Sequence, residues 1–252
     1  MSLNAVRFLV PGAVAGIVSY AFSRVMIEPL IGAAVDYEGQ REHEPGHELF
    51  TRAVQENVGA AVGVVMFGIV MGVLFAVAYT VIRPVLERRG VRSDPTGLAL
   101  LLSAGMFAAV VLVPSLKYPA SPPTVGLEST IGERSSSFLT ITVISVVAAC
   151  VAVAAGLAWS RRWGTWRATG LAVGGYVAVM LCAMAVLPGF HEVPGPLTGP
   201  DGLVLGGFPA EVLAEFRLYS LVNLALMWLV IGVTSACLAA LPRVAARVSE
   251  PR

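Results

Sequence analysis

Six apolar stretches, each close to the length of a bilayer crossing, constrain this chain more than any other feature. A hydrocarbon core about 30 Å thick needs roughly 20 apolar residues in helical form. Only a helix or a closed barrel satisfies its own backbone there. The stretches run from Val6 to Ile27, Asn57 to Ile82, Leu98 to Val113, Phe138 to Trp159, Ala168 to Leu187 and Leu218 to Leu241. Of 252 residues, 56% are hydrophobic and 13% charged, which belongs to polytopic membrane proteins rather than to soluble domains. The expectation is an all-α polytopic membrane protein with six transmembrane helices, forming a single transmembrane domain over residues 1–252. The first stretch is too long for a signal-peptide core and is expected to remain as a span.

Basic residues set the expected orientation. Arg83, Arg88, Arg89 and Arg92 follow the second span, Arg161, Arg162 and Arg167 lie between the fourth and fifth, and Arg7, Arg243, Arg247 and Arg252 lie near the ends. Loops rich in arginine are retained on the cytoplasmic side, so both termini are predicted to be cytoplasmic. The remaining loops hold nearly all the acids, and all three histidines, and are predicted to face outward. Arginine outnumbers lysine sixteen to one, a bias that suggests a bacterial coding sequence and hence a multi-pass protein of a bacterial cell membrane.

The first outward loop carries the most chemistry. Between Glu28 and Glu56 stand seven acids (Glu28, Asp36, Glu38, Glu42, Glu44, Glu48, Glu56) against two arginines, with His43 and His47 among them. Such a loop attracts cations, although a solvated charge run is the plainer reading. His43-Glu44-Pro45-Gly46-His47 has the letters of the zinc-protease signature, whose chemistry requires both histidines on one helical face. Pro45 and Gly46 oppose a continuous helix by about 3 and 1 kcal/mol, so an enzyme is not expected. Metal ligation needs no helix. His43, His47 and His191, with Glu38, Glu44 and Glu192, form the candidate nitrogen and oxygen set for a divalent transition metal. The alternatives are a metal-dependent membrane enzyme built on the His43 to His47 segment, and a non-transporting membrane scaffold.

Other motifs narrow the choice. No phosphate-cradling loop marks an ATPase, and no basic stretch with interleaved aromatics marks nucleic-acid binding. Cys150, Cys182 and Cys237 lack paired spacing and read as small core residues. Gly12 with Gly16, Gly59 with Gly63, Gly68 with Gly72 and Gly170 with Gly174 are spaced for close helix approach. The third and fifth spans end in similar proline-rich segments, and the first repeats the frame loosely. That repetition suggests three outward-facing helical hairpins. Lys117 is expected to pair with Glu192 or another outer acid.

In order along the chain, the outer segments resemble one known family. They are Glu28-Pro29-Leu30-Ile31 with Asp36-Tyr37-Glu38, Pro114-Ser115-Leu116-Lys117-Tyr118-Pro119 with Pro122-Pro123-Thr124-Val125-Gly126, His191-Glu192-Val193-Pro194, Phe208-Pro209-Ala210 and Phe216-Arg217-Leu218-Tyr219-Ser220. Together they resemble the CbtA family, the probable integral-membrane subunit of a cobalt transporter. Gly32-Ala33-Ala34-Val35 departs from the more acidic family pattern, which shifts attention to Asp36, Glu38 or the His43 to His47 segment. The resemblance implies cobalt, or another divalent transition metal, as the transported ion, no resident cofactor, a role in cobalamin biosynthesis and a small single-span CbtB-type partner.

Overall fold

The computed structural model describes residues 3–39, 58–91, 94–123, 125–190, 192–198 and 204–240. Six of its helical segments are long and apolar enough to cross a membrane: Leu9–Glu38, Ala60–Arg88, Pro95–Lys117, Glu128–Trp163, Thr165–Val186 and Ala210–Ala240. The expected all-α, six-span architecture is therefore the one found. All six segments are longer than the stretches read from hydropathy, which registers only the part of a helix inside the hydrocarbon. The fourth, at 36 residues, is about 54 Å long at 1.5 Å per residue, so several turns stand clear of the bilayer.

A proline accompanies the largest difference from the expected boundaries, at the end of the first span. In the first span, helix α1 (Leu3–Phe22) passes through a π-helical turn (Ser23–Ile27) into α2 (Glu28–Gly39). Pro29 was expected to close the span and open a loop; instead the helix continues to Gly39. The third span repeats the device, with α4 (Pro95–Phe107), a π turn (Ala108–Leu112) and α5 (Val113–Lys117) carrying Pro114. A proline lacks an N–H and its ring collides with the carbonyl four residues back. Widening the preceding turn to i→i−5 bonding relieves that collision. The Glu28 N–H accordingly bonds to the Ser23 carbonyl, and the Val113 N–H to the Ala108 carbonyl.

That shift strands the Ala109 carbonyl. Its α-helical donor, the Val113 N–H, is taken by Ala108, and the next residue, Pro114, has none. The Ser145 hydroxyl, from the neighbouring helix α6 (Ile131–Trp163), donates to it at 2.6 Å. Because that bond uses the serine's single proton, the Tyr176 hydroxyl on α7 (Thr165–Val186) is the donor in its 2.8 Å contact with Ser145. The third, fourth and fifth spans are thus joined by a chain of hydrogen bonds that begins at a proline.

Helix α8 (Ala210–Ala240) is the hub, packed against both α1 and α4. Met227, Trp228 and Ile231 from α8 meet Ala15, Ala99 and Val111 in the main core, and Phe75 joins them from α3 (Ala60–Arg88). Ser19 donates to Asn223 Oδ1 at 2.7 Å between α1 and α8, and Ser103 of α4 donates to the Trp228 carbonyl. Asp94 caps α4 by accepting the Gly97 N–H at 2.8 Å, with Pro95 at the first helical position.

Consecutive spans do not all form packed hairpins. Helices α1 and α3 pack along their length, but α7 packs on α6 rather than on α8. The outer-hairpin arrangement thus fits the first pair of spans and not the third. Cys150, Cys182 and Cys237 correct a further expectation: all three are exposed on outward helix faces, not buried as core residues.

Candidate functional site

Three proline-bearing helix ends, near Pro29, Pro114 and Pro188, converge with the segment before α8 to build a small cap at one end of the bundle. Its apolar floor is Ala34, Val125, Phe208 and Leu213, with Tyr37 packed edge-on to Phe208 at a centroid distance of 5.1 Å. Backbone carbonyls in this proline-rich segment collect side-chain donors. The Tyr118 hydroxyl donates to Pro188 O at 2.7 Å, Tyr37 to Gly206 O at 3.2 Å, and Arg217 Nε to Ala120 O at 3.3 Å. A two-residue antiparallel pairing, β1 (Leu197–Thr198) with β2 (Val204–Leu205), closes the loop beside it.

Glu192 and Arg134 hold the centre of this cap. Glu192 Oε2 accepts the Leu127 N–H at 3.0 Å and the Thr130 hydroxyl at 2.8 Å, and faces Arg134 Nε at 3.6 Å. The two hydrogen bonds, the backbone one foremost, hold its carboxyl below the ordinary value of 4.5 against the opposing effect of desolvation, and the Arg134 charge adds the smallest share. Arg134 also donates to the Val125 and Leu127 carbonyls at 3.3 and 3.4 Å. The guanidinium lies across Gly126, whose φ is 120° and where a Cβ would stand 2.0 Å from Nη1. The backbone angle is what calls for glycine there, since a Cβ would otherwise only push the flexible guanidinium aside.

Of the residues singled out from sequence, the structure places two. Glu38 is half-buried in the last turn of α2, and Glu192 is the loop clamp just described. His43, Glu44, His47 and His191 lie outside the described residues. Among the described residues, no three histidine, cysteine, aspartate or glutamate side chains come together as a metal site. The partner of Glu192 is Arg134 rather than Lys117, whose ammonium lies 6.0 Å from the Tyr118 ring centre. The sequence marks Arg134 as a structural and electrostatic residue of the outer face, and what it does not show is the pairing with Glu192. Its signal was a glycine eight residues earlier in a proline-rich segment, which spacing alone could not connect to it.

The family description "Probable cobalt transporter subunit (CbtA)" matches residues 5–240. The chain belongs to the CbtA family. No curated protein and no solved structure gives a significant match. As a CbtA-family member the chain is a multi-pass membrane protein of a family described as a transporter subunit, which implies at least one further component. Among the described residues of this CbtA-family chain, the buried polar side chains in the spans are Ser19, Ser103, Ser137, Ser145 and Asn223, and all but Ser137 bond across a helix interface in the contacts described above. They knit the bundle and supply no carboxylate relay.

Proposed function

We propose that this chain is the integral-membrane subunit of a cobalt uptake transporter in a bacterial cell membrane, with the capped end of the bundle as its outward mouth. The observation that carries the reading is the family match across residues 5–240. The architecture supports it: proline-bearing helix ends gather the acidic segments at one end, whereas the arginine-rich turn at Arg161 and Arg162 lies at the opposite end of α6. His43, His47 and His191, with Glu38 and Glu44, are the proposed capture ligands for the divalent metal. Imidazole nitrogens distinguish a transition metal from calcium or magnesium. Glu192, already bonded to Leu127, Thr130 and Arg134, serves in this reading to position its neighbour His191 rather than to bind the ion. A small CbtB-type subunit is the proposed partner, and cobalamin synthesis the proposed destination.

The test is accumulation of labelled cobalt by cells expressing the chain with its small partner. Replacing His43, His47 and His191 together by alanine is expected to cut uptake at least about ten-fold while leaving membrane insertion intact. Uptake should also fade below about pH 6, where imidazole is protonated and loses its lone pair. Full uptake by the triple variant would move capture to the carboxylates, and equal uptake by cells lacking the chain would overturn the transport reading.

A further inference from the structure

The arginine-rich end of the molecule holds a second feature, unrelated to the cap. A cavity of about 470 Å³ lies between the third, fourth and fifth spans, walled by small side chains such as Gly105, Ala108, Ala152 and Ala172. That volume is within the range of small-molecule sites, about 300–1,000 Å³. Its deep end reaches Ala109 and Tyr176, whose polar groups are engaged with Ser145. The interior therefore suits hydrocarbon. Val153 and Val173 on its wall are 47% and 55% exposed, so it opens to the side of the bundle.

The other end of the cavity has the opposite character. Val91, Ser160 and Thr165 line it there, and beside them in sequence stand Arg88, Arg89, Arg161, Arg162 and Arg167, all exposed. Arg161 reaches across to donate to the Arg89 carbonyl at 3.3 Å, which brings the two turns together at the mouth. The acids nearby are occupied: Glu87 pairs with Arg83 at 2.9 Å and Asp94 caps α4. Positive charge is left in excess. Trp159, Trp163 and Trp166 belong to the same turn, Trp166 being 89% exposed, as suits side chains at headgroup depth.

We infer that this cavity is a binding site for an anionic phospholipid, with one acyl chain between α6, α7 and the Ala108 turn and the phosphate among Arg89, Arg161, Arg162 and Arg167. Basic pockets between helices recognise anionic headgroups by this chemistry. Charge complementarity selects a lipid over a neutral partner helix, which would leave the arginines facing nothing.

Native mass spectrometry of the purified full-length protein, titrated with phosphatidylglycerol or phosphatidylcholine, tests this. The wild type is expected to retain one phosphatidylglycerol with a preference of about five-fold or more. Arg161→Gln with Arg162→Gln and Arg167→Gln should bring the two lipids to parity. Ala152→Phe, which fills the cavity and leaves the arginines, should abolish retention of both; Ala152→Val is the milder form should the first not fold. No preference in the wild type would overturn the site, and so would a preference that survives filling, since that belongs to surface charge alone. A photoreactive residue at Val153 in cell membranes should give lipid adducts, whereas a discrete polypeptide adduct would assign the groove to a partner helix and end the proposal.

Discussion

Two helix pairs in this protein carry the same glycine spacing and use it differently. On α1 and α3, Gly12 and Gly16 face Gly68 and Gly72 so closely that a Cβ on any of them would stand 2.4–2.7 Å from the opposing backbone. On α7, Gly170 and Gly174 are exposed and have nothing within 4 Å, so their spacing serves no helix contact in this chain. Lipid tails are as apolar as the helices, so association in a membrane depends on contact and hydrogen bonding rather than on expulsion of water. The first pair meets backbone to backbone, whereas the second packs through side chains and adds the bond between the Ser145 and Tyr176 hydroxyls. Glycine spacing alone did not distinguish them.

Gly68→Leu probes the tight seam and should have the largest effect. No rotamer relieves contact with the Gly12 and Gly16 backbone, so a loss of about 3 kcal/mol or more is expected, read as failure to survive detergent extraction. Gly174→Leu should change thermal stability by no more than about 0.5 kcal/mol. Equal losses from the two would break the contrast. Ser145→Ala is the corresponding test of the second pair. It leaves the Ala109 carbonyl without its donor and should cost about 0.6 kcal/mol, the measured average for hydrogen bonds between membrane helices, and no more than about 1.7. Thermal unfolding of this variant alongside Tyr176→Phe would show whether the chain of hydroxyls acts as a unit.

A milder effect belongs to the cap. Gly126→Ala should displace the Arg134 guanidinium and lower the melting temperature by less than Gly68→Leu does. The smallest effect is a pH dependence. The Glu192 carboxyl is held below 4.5 in the folded protein, so its contribution is complete above that value and is lost as pH falls through the lowered one. Melting temperature should therefore drop below pH 4.5 in the wild type, with a shallower drop in Glu192→Gln. An identical slope in both would show that the clamp carries no linked proton.

Hydropathy made the six crossings legible because bilayer thickness leaves little freedom in where a span can lie. Their ends were less legible. Pro29 and Pro114 read as helix stops, since local chemistry favours that outcome, yet each was absorbed by one widened turn. The family match agrees with the resemblance seen in the proline-rich segments, whereas the pairing of Arg134 with Glu192 was invisible. These residues are far apart in the chain, and any of several cations could have met the same carboxylate. The exposed cysteines mark a related limit. In a membrane protein an apolar residue is as much at home against lipid as in the core, so polarity does not report burial.

The two widened turns carry one residue more than an α-helix would, and one residue is worth about 100° of rotation about the helix axis. The outer segment of the first span, beyond Ile27, is therefore out of phase with the inner segment, and the third span changes phase beyond Leu112 in the same way. A helical wheel drawn through either span predicts the wrong face for everything after the turn. Deleting a single residue from Ser23–Ile27 would leave the composition of the span almost unchanged and turn Asp36, Tyr37 and Glu38 by about a quarter of a turn about the helix axis.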